Sequence, residues 1–250
     1  MDDQNEIIVS SKKFQKKSII AFLIFSVAIA AAVFAWKWLH HQPVVAAAHE
    51  PLRKGLAINE KVFSKVLSNK HLAKTYPVSA AAKNVRVNSL IGLKTPLDSS
   101  WKLKVVRNPG DTLFISLDEI KALPKTELTF DFKCIEGWSQ ISHWAGVKFT
   151  DFAKKFNLGL QTQMNYVGLT TPDKEYYVGI DMASMMHPQT LLCYEMNDKP
   201  LPLKHGYPLR LIIPVKYGIK NLKRIGTIFF SNTPPPDYWY ERGYDYYSGL

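Results

Sequence analysis

The sequence predicts an α+β domain on mixed or antiparallel sheet, preceded by one transmembrane helix. Three observations carry this expectation. Short runs of alternating apolar and polar residues recur beyond Tyr76, interleaved with only brief helical patterns. Fifteen prolines and thirteen glycines punctuate them, which suits short elements and turns and not a parallel βαβ repeat. Ser18 to Trp36 is an uncharged run of 19 residues.

Taken in order, the uncharged run comes first. As a helix it spans about 28 Å, close to the hydrocarbon thickness of about 30 Å. Trp36 and Trp38 sit where an interfacial aromatic belt would lie. Lys12, Lys13, Lys16 and Lys17 precede the run, which places the N-terminus in the cytoplasm and the rest outside; Lys37, Arg53 and Lys54 follow on the other side. The expected organisation is a cytoplasmic tail 1–17, an anchor 18–39, a linker 40–75 and a folded domain 76–250. A cleaved signal peptide ending near Ala46-Ala47-Ala48 is the competing reading, although the apolar run exceeds the usual length of a signal. Within the linker, Asn59 to Lys74 reads as a short amphipathic helix with Val62, Val66 and Leu67 on one side.

Strands are expected at Trp101-Lys-Leu-Lys-Val-Val, Leu113-Phe-Ile-Ser-Leu, Glu127 to Cys134, Asn165-Tyr-Val-Gly-Leu, Tyr176-Tyr-Val-Gly-Ile, Leu209-Arg-Leu-Ile-Ile-Pro and Thr227-Ile-Phe-Phe. In the third, Leu128, Phe130 and Phe132 share one face, with Thr129, Asp131 and Lys133 on the other. Ser116 to Leu123 reads as a short helix stopped by Pro124, and Phe149 to Phe156 as another ahead of an Asn157-Leu-Gly turn.

Composition narrows the chemistry. The chain has 250 residues, 46 % hydrophobic and 21 % charged, which fits a packed protein of one or two domains. Two cysteines exclude a disulfide scaffold, a four-cysteine zinc site and a cysteine-ligated iron–sulfur cluster. No Gly-rich dinucleotide motif, phosphate loop, His-Glu-x-x-His or Gly-x-Ser-x-Gly is present. The net charge is +11, of which residues 1–39 hold +2. The basic residues are scattered and form no stripe or basic helix, so no nucleic-acid partner is expected.

Two places draw attention. Arg210, Lys216, Lys220 and Lys223 flank two tight turns, with Gly218 allowing close backbone approach. Such a segment either holds a phosphate through guanidinium, ammonium and backbone N–H groups or is a solvated basic face. Cys134 ends an alternating strand beside Lys133, with Glu136, Trp138 and His143 following. It is either a small core residue or an activated thiolate or soft-metal ligand. Cys193, among apolar neighbours, reads as core.

Phe132-Lys-Cys-Ile-Glu-Gly-Trp-Ser, followed by His143-Trp-Ala-Gly-Val, resembles the molybdenum-ligand strand of the sulfite oxidase family, and within it the branch of periplasmic methionine-sulfoxide reductase catalytic subunits. Met186 to Pro202 is similar to the stretch leading into the family's cofactor loop, and His205 to Lys223 to its pterin-binding run. The resemblance covers 76–250 and implies a mixed-sheet, sulfite-oxidase-type molybdopterin-binding domain carrying molybdenum on molybdopterin.

It implies Cys134 as the one protein thiolate on the metal and Arg210 with Asn221, Leu222 and Lys223 around the pterin phosphate. Thr171, Asn88 and Ser89 would be further cofactor contacts. His205 stands where the reductase branch has asparagine and would still reach the cofactor. Glu136 matches a carboxylate that tunes the metal site or relays protons. The arginine-rich stretch that neutralises sulfite is missing after Cys134, so the implied reaction is reduction of a sulfoxide or similar substrate. Sulfite-type oxidation is the alternative, as is an accessory subunit that keeps the fold without the activity. Ser11-Lys-Lys-Phe-Gln-Lys resembles a twin-arginine export signal without its arginines. Electrons would come from a membrane cytochrome b-type subunit, with the protein single-pass in a bacterial inner membrane and its catalytic domain on the periplasmic side.

Overall fold

The computed structural model describes residues 10–66 and 70–250. Two compact units meet within the second helix, one ending at Arg53 and the other running Lys54–Leu250.

In the first unit, α1 (Ser11–His40) contains the whole uncharged run and buries no residue. It is long and apolar enough to cross a membrane. It starts seven residues before the expected anchor, because lysine is a good helix former and nothing between Ser11 and Lys17 breaks the pattern. Residues 1–9 of the expected tail lie outside the described residues. A hairpin of β1 (Val44–Val45) and β2 (Ala48–His49) follows, turned by Ala46 and Ala47 at positive φ. Arg53 donates to the Ala46 carbonyl.

Helix α2 (Glu50–Val66) replaces the helix expected over Asn59–Lys74. Val62 and Val66 are both exposed on it, and Leu67 lies outside the described residues. Residues 70–76 are not helical, because backbone groups there pair with the domain. Ala73 N–H donates to Gln189 Oε1 at 2.7 Å, and Tyr76 N–H to the Thr129 carbonyl at 3.0 Å. The compact unit thus begins upstream of Tyr76.

The second unit carries two five-stranded sheets. One contains β3 (Leu103–Asn108), β4 (Asp111–Ile115), β7 (Tyr166–Thr170), β8 (Tyr177–Asp181) and β12 (Thr227–Ser231), in the order β4-β3-β12-β7-β8. β12 runs parallel to β3 and antiparallel to β7, so the sheet is mixed. The other is antiparallel and contains β5 (Lys125–Lys133), β6 (Ser139–Lys148), β9 (Leu191–Met196), β10 (Lys199–Pro200) and β11 (Arg210–Ile212), with β6 between β5 and β9. The expected α+β class with a mixed sheet is what the structure has.

Short helices connect these strands. α3 (Leu117–Lys121) opens with a capping box: Ser116 Oγ accepts from Glu119 N–H, and Glu119 reaches back to Ser116 N–H. α4 (Phe149–Lys155) buries Phe149 and Phe152 in the main core with Val105, Leu169, Ile180 and Leu192. α5 (Met182–Met185) is capped by Asp181.

β6 and β9 were not expected from the sequence. Both lie inside their sheet with nearly every central residue buried, so they lack the alternation that marks a half-exposed strand. β6 also slips register against β9 at Ala145/Gly146. A Cβ on Gly146 would stand 2.2 Å from the Leu192 carbonyl oxygen, so only glycine fits there.

Candidate functional site

Strand β5 ends where its alternation ends, and Cys134 is the next residue. The chain turns at once: Cys134 N–H donates to the Trp138 carbonyl at 2.9 Å, Gly137 N–H to the Cys134 carbonyl at 3.1 Å, and Gly137 sits at φ +87°. Cys134 as a whole is 3 % exposed. Burial pushes the thiol up, while the Glu136 backbone N–H and the Asn88 amide pull it back. Asn88 Nδ2 points at Sγ from 3.9 Å.

The cysteine opens onto a cleft of about 650 Å³. Of the expected site residues, the cleft brings together Asn88, Ser89, Cys134, Glu136, Arg210, Asn221 and Lys223. They come from the loop before β3, the end of β5, strand β11 and the turn after it.

Two cations give the cleft its character. Arg210, on β11, is 2 % exposed and donates only to carbonyls, those of His205 at 3.2 Å and Asn221 at 3.4 Å. Its Nε is buried without a partner. The guanidinium lies 4.5 Å from the Trp144 ring centre. Burial lowers it to about 10. Lys223 Nζ donates to the Asn88 and Ser89 carbonyls, which ties the loop to the cleft. Burial first, and the neighbouring Arg210 second, lower Lys223 to about 7. Among the described residues no carboxylate lies within 4.0 Å of either cation. Two desolvated cations with no carboxylate beside them favour an anion between them.

Glu136 is exposed at the mouth and accepts from Trp138 Nε1 at 2.9 Å. The Asn221 side chain is engaged at both ends: Oδ1 accepts from Ile213 N–H and Nδ2 donates to the Tyr217 carbonyl.

Three expected contacts lie elsewhere. Thr171 closes the β7–β8 turn, with Oγ1 donating to Asp173 at 2.6 Å, and does not line the cleft. Leu222 is fully buried in the main core. His205 lines a small adjoining cavity with Asn88, Phe132, Trp144 and Arg210. Burial, then Arg210 and Lys223, lower His205 to about 4, so it is neutral near pH 7.

The basic segment needs correction. Lys216 pairs with Asp181 at 2.7 Å and Lys220 with Asp237 at 2.5 Å, both lysines almost fully buried. Of the four cations only Arg210 and Lys223 face the cleft. His143 is also turned away, bonded to Thr129 Oγ1 at 2.7 Å and Asp198 at 3.2 Å. Cys193 is fully buried in the core beside β11, as expected.

Sequence reading missed the apolar wall formed by Ile91, Ile135, Ile219, Tyr176, Trp239 and Tyr244. Tyr176 Oη donates to the Ile219 carbonyl at 2.5 Å, fixing ring and turn together. The aromatic density of residues 238–247 was the available signal.

Residues 92–239 match the family described as the oxidoreductase molybdopterin binding domain. The chain belongs to that family. It is an oxidoreductase, and the family's name states the group it binds. A relative in Azospira oryzae, named as a protein-methionine-sulfoxide reductase subunit, is 36 % identical over 71 % of this chain and 68 % of its own length. The protein-methionine-sulfoxide reductase catalytic subunit of Xanthomonas campestris is 34 % identical over 59 % of this chain, which spans half of that relative's length. The sulfane dehydrogenase SoxCD of Paracoccus pantotrophus aligns with a TM-score of 0.48 at 16 % identity, covering 66 % of this chain and 46 % of its own.

The cleft fits a molybdopterin. The unpartnered Nε of Arg210 and the ammonium of Lys223 suit its phosphate. The buried Cys134 thiol is a soft donor suited to an electron-rich metal centre.

Proposed function

We propose that the protein is a membrane-anchored enzyme that uses molybdenum on molybdopterin to reduce a sulfoxide of the methionine-sulfoxide type. One observation carries the reading: the buried thiol of Cys134 shares a cleft with two desolvated cations that have no carboxylate beside them. When bound, the cofactor supplies the two-electron chemistry of oxygen-atom transfer.

The chain's own residues do the rest. Cys134 holds the metal, and Asn88 orients the sulfur through its amide. Arg210 and Lys223 hold the phosphate, and Lys223 at the same time fixes the Asn88–Ser89 loop. Thr171, His205 and Leu222 serve from the surrounding shell, by shaping the backbone that carries these groups. Reducing a sulfoxide to a sulfide and water consumes two electrons and two protons. Glu136, at the mouth and oriented by Trp138, handles the protons.

With Arg210 and Lys223 given to the cofactor, no cation among the described lining residues remains for a dianionic substrate. Trp239, Tyr244 and the isoleucines favour a thioether-like side chain instead. The names of the Azospira and Xanthomonas relatives support the same substrate.

Helix α1 supports an anchor, with the lysines at its start on the cytoplasmic side and the domain on the periplasmic side. A membrane cytochrome b-type subunit then supplies electrons at high effective concentration. The test is turnover by the purified full chain of methionine sulfoxide with an artificial electron donor, against sulfite with an artificial acceptor. Methionine-sulfoxide reduction is expected; preferential oxidation of sulfite would overturn the reading.

A further inference from the structure

From Lys54 onward, α2 carries two stripes that the cleft does not use. Ile58, Val62 and Val66 are spaced by four residues and so share one face. They are 58 %, 50 % and 60 % exposed. Lys54, Lys61 and Lys65 form the adjoining stripe, each three or four residues from one of these aliphatics and each exposed. A different face holds the helix to the domain: Tyr166 Oη donates to Glu60 Oε1 at 2.7 Å, and Phe63 stacks on Tyr247 with ring centres 5.7 Å apart.

We propose that this outer face of α2 is a membrane-surface helix that docks on anionic lipid headgroups. The proposal rests on the anchored reading of α1. An aliphatic stripe bordered by lysines matches the boundary between acyl chains and acidic headgroups. Protein interfaces are depleted of lysine, which argues against a protein occupant for a face with three of them. Only residues 41–49 separate α1 from α2 in sequence, a length that cannot stretch beyond roughly 30 Å. The helix therefore starts within reach of the surface from which α1 emerges. Docking there would hold the catalytic domain at the bilayer rather than at the end of a tether, and so fix its distance from a membrane electron donor.

The test uses the full chain in lipid nanodiscs, with an environment-sensitive fluorophore on Val62→Cys and, as a control, on Ala57→Cys beyond the lysine stripe. Both native cysteines are buried. One set of discs contains phosphatidylcholine alone and the other includes phosphatidylglycerol. At position 62 the emission shifts to the blue in anionic discs and is quenched by brominated acyl chains; at 57 it does neither. Each lysine changed to glutamine lowers the docked-to-free ratio about fivefold, and Lys54→Glu, Lys61→Glu and Lys65→Glu together abolish the shift. Water-like emission at 62 in anionic discs, or equal shifts in both disc types, overturns the proposal. Both results are read on chain that co-elutes with the discs. Chain that fails to co-elute overturns the anchored reading and this proposal with it.

Discussion

The Lys220–Asp237 pair joins the turn that floors the cleft to the segment that carries Trp239. Lys220 is 1 % and Asp237 2 % exposed, and their charged atoms are 2.5 Å apart. Lys220 also donates to the Gly179 carbonyl at 3.1 Å, and Asp237 accepts from the N–H groups of Gly179 and Tyr240. At an effective dielectric of about 20 the attraction at this distance is about 7 kcal/mol. Much of it offsets the desolvation of two ions. Removing one partner leaves the other buried and unpaired, which costs about 3–5 kcal/mol. Asp237→Asn and Lys220→Met should each lose that much in chemical denaturation of the purified full chain, followed by tryptophan fluorescence. The double variant should fall short of the summed losses by about 2 kcal/mol, because the second change removes the ion that the first stranded. Single variants within about 0.5 kcal/mol of wild type, or a double variant that is simply additive, would show that the buried pair does not hold the turn to the Trp239 segment.

Other outcomes follow from the same geometry. Lys223→Met removes a charged donor from the anion site and should weaken pterin retention between about tenfold and a hundredfold, measured as pterin released per chain on denaturation. Arg210→Met should do the same, with Cys134 unchanged in both. Gly146→Ala forces a methyl against the Leu192 carbonyl and should destabilise the β6–β9 pairing by about 1–3 kcal/mol or more, read by denaturation. His205 is held neutral, lowered to about 4 by burial and by Arg210 and Lys223. The unfolded chain takes up that proton first, near the ordinary histidine value of 6.5. Stability of the cofactor-free protein should therefore fall as pH drops from about 6.5 towards about 4 and level off below. His205→Asn should flatten that slope in pH-resolved denaturation.

The sequence was most informative where short runs of β-branched and aromatic residues lie between turn residues. β3, β4, β7 and β8 fall within a residue or two of their expected runs, and α3 follows its Ser116 cap and Pro124 stop. β6 and β9 were hidden because both of their faces are buried, which removes the periodicity. α2 was misplaced because its inward contacts, to Tyr166 and Tyr247, lie more than a hundred residues away. The basic segment shows the same limit at the site. Lys216 and Lys220 look like Arg210 and Lys223 in sequence, but Asp181 and Asp237 claim them from distant elements. Cys134, Glu136, Arg210 and Lys223 were legible together only as an ordered pattern resembling a family. No local spacing brings β5, β11 and the Asn88 loop to one cleft.

The proposed function stands or falls on whether Cys134 and the two cleft cations hold a molybdenum cofactor. The most direct measurement is molybdenum and pterin per chain in the purified full-length protein, wild type against Cys134→Ala. About one molybdenum per chain in wild type is predicted, lost in the variant while far-UV circular dichroism is unchanged. A folded wild type without molybdenum, or a variant that keeps its metal in full, would contradict the claim.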